Sequence, residues 1–258
     1  MLYKIKRHPF PVGAHFSHSL VLTYALPGEI LRPLLPPGLE LDGYENFGFV
    51  AIALVQTRNL KPAFLPHFCG QNFFLSGYRI FTKFQTATGA SRKPTTLRGL
   101  KILRSDTDKR LMAFFGNVLT HYNYRLAKVS VNEAGSTLEI KIATAHSEAD
   151  LEVRADLSRP APLPNGSVFP DLETAKRFAG PLPFTFDYEK ESHSIIIIKG
   201  VRKQWNPQPV RADVSRCTFF EHIEFRGATP ILSNAFHIQN VPYRWERGRR
   251  VALGVLPT

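Results

Sequence analysis

The chain is poor in cysteine and lacks long apolar runs, and each shortage removes a class of protein. Two cysteines in 258 residues, Cys69 and Cys217, cannot build a disulfide scaffold. The N-terminus MLYKIKRHPFPVGAHFSHS is broken by proline and histidine before any signal-like apolar core can form. Reduced thiols in a cytoplasmic protein are the reading that follows. No run reaches the roughly 18 consecutive apolar residues that a transmembrane helix needs, so no membrane partner is expected.

Metal and phosphate motifs are missing as well. Nine histidines invite a metal site, but His15 and His18 have no carboxylate or thiolate partner at ligand spacing. His67 and Cys69 flank Phe68 without a second pair, and CxxC and HExxH do not occur. Neither GxGxxG nor GxxxxGK[ST] nor GxSxG is present, so neither nucleotide chemistry nor a nucleophile elbow is predicted. No metal and no cofactor are expected.

What the chain does have is proline, phenylalanine and positive charge. Twenty prolines disfavour long helices and central strands, which predicts many short elements in a β-rich chain. The 33 basic residues exceed the 21 acidic ones, for a net charge of +12. Nine basic residues against two acidic lie between Ser91 and Val129. Such a surface suits nucleic acid, an anionic membrane or a small acidic molecule, or is simply a solvated face.

Alternation and turn residues predict strands at Ser19–Ala25, Phe47–Arg58, Asn72–Thr86, Thr137–Ala145, Glu152–Leu157, Ser194–Val201, Val210–Arg216, Phe219–Phe225 and Ala235–Gln239. A two-turn helix is predicted after Pro27, stopped by Pro36-Pro37-Gly38, and a second is capped by Asp171 and stopped at Gly180-Pro181. A turn is predicted at Thr88–Pro94. No repeat or domain boundary is visible, so residues 1–258 read as one α+β domain dominated by antiparallel sheet.

The stretch Arg98–Val131 is the candidate site. It reads as an alternating run, a polar turn at Ser105–Lys109, and a long second arm carrying His121-Tyr122-Asn123-Tyr124-Arg125. Arg98 and Arg104 share parity with Leu100 and Ile102, which makes one face cationic at both ends. Tyr78 and Arg79 lie on a neighbouring predicted strand. An equally available reading makes the arginines surface charges and the tyrosines core.

LRPLLPPGLELD (Leu31–Asp42), FGFVAIALVQTRNLKP, FGNVLTHYNYRLAKV (Phe115–Val129) and WNPQPV (Trp205–Val210) occur in this order. Together they resemble the uncharacterised YqjF-like family, a domain of unknown function grouped with acetoacetate decarboxylase-like proteins, over Pro9 to Ile238. The resemblance implies a cone-shaped antiparallel β-barrel with a few short helices, enclosing one pocket. It also implies a place for chemistry, because the decarboxylases hold a Schiff-base lysine beside a second lysine that lowers its pKa. Laid on Gly116–Ala127, their pattern G-R-E-x-x-G-x-P-K-K-L-A puts Tyr124 and Arg125 at the lysine pair. Neither side chain can form a Schiff base. A slipped register would leave Lys128 and Lys101 as alternative amines.

The reading is therefore a barrel that binds a small anionic molecule, a carboxylate or keto acid. As an enzyme it would use acid–base or enolate-stabilising chemistry from Tyr124, His121 and Arg125, with Arg98, Arg104, Tyr78 and Arg79 binding substrate. The rival is a non-catalytic ligand-binding or regulatory barrel. A nucleic-acid-associated protein is the weakest of the three, since no RRM, KH or helix-turn-helix signature accompanies the charge. The sequence leaves a homo-oligomer open.

Overall fold

A computed structural model describes residues 2–86, 95–179, 182–203 and 205–254. In chain order its elements are β1 (Val12–Pro27), α1 (Gly28–Leu31), β2 (Glu40–Leu41), β3 (Phe47–Pro62), β4 (Gln71–Thr86), β5 (Thr95–Thr107), α2 (Arg110–Leu119), β6 (Tyr124–Ala134) and β7 (Thr137–Thr144). There follow β8 (Leu151–Asp156), α3 (Leu172–Phe178), β9 (Phe184–Glu189), β10 (Ser194–Arg202), β11 (Gln208–Pro209), β12 (Arg211–Cys217), β13 (Ile231–Trp245) and β14 (Arg249–Ala252). The molecule is mostly sheet with a few short helices. The turn expected at Thr88–Pro94 and the helix stop at Gly180-Pro181 lie outside the described residues.

Seven strands close on themselves in the order β5-β9-β10-β13-β1-β3-β4, because β4 pairs back onto β5. From β5 the sheet branches through β6, β7 and β8 to β12. Most pairings are antiparallel as expected, but β5 runs parallel to both β6 and β9. The strands are longer than the proline count suggested: β1, β3 and β4 have 16 residues each. Pro27 and Pro62 stand at strand ends, where a missing N–H costs little.

The long strands are apolar on both faces, and the two faces have different partners. Even-numbered residues such as Leu20, Leu22, Ile52, Leu54, Tyr78 and Ile80 leave the ring. They pack against Leu138, Ile140, Ile142, Leu151 and Val153 of the branch sheet. On β1 from Ser19 onward, and on β3 and β4, odd-numbered residues such as Ser19, Val21, Ala51, Ala53, Leu75 and Phe81 turn inward. This double burial explains why β3 reads as a nearly continuous apolar run instead of an alternating one.

Three expectations are corrected here. Phe219–Phe225 is not a strand but two tight 3-10 turns, Thr218–Glu221 and Ile223–Phe225, whose aromatics fill the space beside Tyr78 and Tyr24. Ser105–Thr107 belongs to β5, so the polar turn shrinks to Asp108-Lys109. The long second arm opens on a helix, α2, with Gly116 buried on its inner side. Strand β9 was not foreseen, because its buried Asp187 and Glu189 resemble loop residues. They are matched by Lys101 at 3.2 Å and by Arg7. No helix among the described residues is long and apolar enough to cross a membrane.

Candidate functional site

The ring encloses a cavity of about 210 Å³. Its wall is built by side-chain alternation, so adjacent residues have opposite fates. On β4, Phe73, Leu75, Arg79 and Phe81 line the cavity. Tyr78, between them, faces out; its ring lies 4.2 Å from that of Phe219, and its hydroxyl donates to the Ala149 carbonyl at 3.1 Å.

On β5 the alternation breaks. Tyr78 pairs with Arg104 but Arg79 pairs with Ile102, so Leu103 is an extra residue and the register shifts. Leu100 and Ile102 line the cavity before the bulge, and Ser105 lines it after. Arg104 is thereby turned to the opposite side, where it is buried and donates to Asp106 at 2.8 Å and Glu148 at 2.7 Å. The shared parity read from the sequence is overturned by this one-residue insertion.

Tyr124 reaches the cavity through three local devices. Asn123 adopts a left-handed φ of 53°, which redirects the chain out of the turn after α2. The Asn117 amide then brackets Tyr124, donating to its carbonyl and accepting from its N–H, both at 2.8 Å. Gly116 leaves room for the ring, since a Cβ there would collide with it. Tyr122 enters from the same side, its ring centroid 6.2 Å from that of Tyr124.

Two arginines face the cavity, Arg79 from β4 and Arg202 from β10. The Nε of Arg79 and one terminal nitrogen of Arg202 are buried without a hydrogen-bond partner. Neither guanidinium has a carboxylate within salt-bridge distance among the described residues. Arg202 lies over the Trp205 ring, 4.0 Å from its centroid. Burial lowers the pKa of both arginines, and the charge of Arg79 lowers that of Arg202 further. An arginine nonetheless stays protonated in a protein, so two positive charges share an apolar enclosure. Burial raises the pKa of the phenols of Tyr122 and Tyr124, which keeps them neutral and able to donate. The Tyr122 hydroxyl also has no partner.

The residues singled out from the sequence therefore divide. Tyr124 and Arg79 line the cavity. Arg125, next to Tyr124, points outward, is exposed and pairs with Glu148. Arg98 is held at the far end of β5 by Asp42 at 2.6 Å and the Phe178 carbonyl at 2.9 Å. Arg104 and Tyr78 face the branch sheet. His121 is half-buried outside the lining, its Nε2 without a partner and its pKa lowered by burial. Lys101 pairs with Asp187, and no lysine lines the cavity among the described residues.

Sequence reasoning missed Arg202, Tyr243, Trp205 and His8, which also line the cavity. A signal existed: Gly77-x-Arg79 and Gly200-x-Arg202 place a glycine and an arginine two apart, on one face of a strand. A Cβ at Gly77 would lie 2.8 Å from the Arg79 Nε, and one at Gly200 would meet the hydroxyl of Tyr243. Among the described residues no group of three or more histidine, cysteine, aspartate or glutamate side chains is placed to hold a metal ion.

Residues 14–241 match the family DUF2071, described as an uncharacterized conserved protein. No curated protein sequence matches the chain. Among solved structures, the acetoacetate decarboxylase of Legionella pneumophila superposes with a TM-score of 0.60, at 12% identity, over 95% of this chain and 88% of that one. The enduracididine biosynthesis enzyme MppR complexed with pyruvate gives 0.59 at 13% identity, over 94% and 90%. An acetoacetate decarboxylase-like enzyme from Sphingomonas wittichii RW1 gives 0.56 at 12%, over 94% and 93%. At such identities the likeness is one of fold.

Proposed function

The chain belongs to the DUF2071 family, and from that premise we propose that its ring is a binding barrel for a small carboxylate or keto acid. The observation that carries this is the pair Arg79 and Arg202, cationic and without carboxylate partners in an apolar cavity. Burying an unpaired charge is costly, and a bound carboxylate would offset that cost through charge-assisted hydrogen bonds. Pyruvate is held by MppR, whose fold is shared.

Acid–base or enolate-stabilising chemistry is the catalytic form of this reading. A keto acid whose carboxylate meets the two guanidiniums has Tyr124, Tyr122 and Tyr243 as candidate donors to its carbonyl oxygen. Phenols held neutral suit that task better than base catalysis. Schiff-base chemistry is not proposed, since the cavity wall carries no amine among the described residues. The two unpaired thiols, of which the Cys217 thiol is pushed up to about 12 by burial, suit a reducing compartment such as the cytoplasm.

Calorimetric titration with pyruvate and acetoacetate tests the binding claim. Saturable binding is expected, weakened about 10- to 100-fold in Arg79→Met, as for loss of a charge-assisted contact. Borohydride treatment in the presence of pyruvate is expected to leave the protein mass unchanged; a lysine adduct would restore the Schiff base. A bound keto acid that is never transformed would favour the non-catalytic barrel.

A further inference from the structure

The cavity is hollow for a reason visible in the strand register. Of β3, Ala51, Ala53 and Val55 line the cavity, so the strand's contribution beside β4 is small. Ala51 sits opposite Arg79, and Ala53 opposite Gly77. The missing side-chain volume lies beside the arginines. Beyond it the wall is formed by Val21, Phe81, Leu100 and Phe236, none of which can hydrogen-bond through its side chain. Tyr122, Tyr124 and Tyr243 line the cavity together with Arg79 and Arg202, the rings of Tyr122 and Tyr124 6.2 Å apart, while the Thr185 hydroxyl stands beside Leu100.

A dry apolar cavity of about 150 Å³ admits a benzene ring. At about 210 Å³ this one has room for a ring together with a small polar head. A three-carbon keto acid would occupy the cationic end and leave the apolar remainder unfilled.

We propose that the ligand is an amphipathic carboxylate, an oxo acid bearing an aromatic or branched apolar substituent. Its head meets Arg79 and Arg202, and its substituent lies against Ala51, Ala53, Val21 and Phe81. This rests on the binding reading above and narrows it. Each buried methylene strengthens binding about fourfold, so a phenyl substituent is worth well over an order of magnitude.

The test is calorimetric titration of the full chain with pyruvate, phenylpyruvate and phenylethanol. Phenylpyruvate is expected to bind at least about 30-fold more tightly than pyruvate. Ala53→Leu fills the hollow and is expected to weaken phenylpyruvate far more than pyruvate, so that the ratio of their affinities falls to within about threefold. Ala51→Val serves the same end if Ala53→Leu does not fold. Equal affinity for the two acids in the wild type, or a preference that survives both variants, overturns the substrate class and leaves the carboxylate site standing. Phenylethanol binding as tightly as phenylpyruvate, or neither acid binding, overturns both.

Discussion

At the scale of single residues, the site depends on glycines that yield space to larger side chains, and two of them should fail in different ways. A methyl at Gly77 would press on the far end of the flexible Arg79 side chain, at 2.8 Å from Nε and 2.9 Å from a terminal nitrogen. Gly77→Ala is therefore expected to weaken carboxylate binding severalfold while the thermal midpoint hardly moves, as paired titration and melting would show. Gly116 abuts the ring of Tyr124, which is fixed by Asn117 and cannot retreat. Gly116→Ala should cost about 1–3 kcal/mol by denaturant titration, as overpacking does.

At the scale of the element, β5 turns its buried arginine away from the cavity. The bulge at Leu103 sends Arg104 to the branch sheet, where it neutralises Asp106. Burial raises the Asp106 carboxyl, and Arg104 opposes that rise. Arg104→Met should destabilise by about 3–5 kcal/mol, the usual result of leaving one member of a buried pair alone. The affinity of the folded fraction for a carboxylate should be unchanged; a loss of affinity without destabilisation would reverse the assignment.

Regular alternation and capping could be read in advance. Thr137–Ala145 and its partner were legible because one face is polar and the other apolar, and so was the Asp171 cap, whose carboxylate accepts from the Thr174 N–H. Part of the cavity wall was legible as a region, since Arg98–Val131 supplies Leu100, Ile102, Ser105, Tyr122 and Tyr124 to it. Which neighbour of each pair faces inward was not, because an unpaired residue at Leu103 and a left-handed Asn123 reset the alternation without altering composition. Arg202 comes from another strand, and only ring closure brings it to Arg79.

At the scale of the molecule, His18 links the ring to the branch sheet. Its Nδ1 lies 3.1 Å from the His237 Nε2, and its Nε2 lies 3.2 Å from a Glu133 oxygen. Burial pushes the His237 pKa down from 6.5 to about 4, and the neighbouring His18 pushes the same way. The folded state thus resists a proton that the unfolded chain accepts. Stability should be full above about pH 6.5 and should fall as the pH drops toward about 4, by on the order of 3 kcal/mol. Denaturant titrations at pH 7 and pH 4.5 would show it, and His237→Gln should flatten the slope.

Closure of the ring also decides how the protein meets its neighbours in a crowded solution. The path of the sheet through the ring ends at β2 and β12, while β11 and β14 pair beside it on β13 and β10. Strand β2 is two residues long, and β12 places Arg211, Asp213 and Arg216 along its length with a register shift before Arg216. Shortness, charge and a kink are the means by which proteins keep edges from templating aggregates. The chain should stay dispersed at high concentration, and neutral β-branched replacements of Arg211 and Asp213 are the changes that would make it clump.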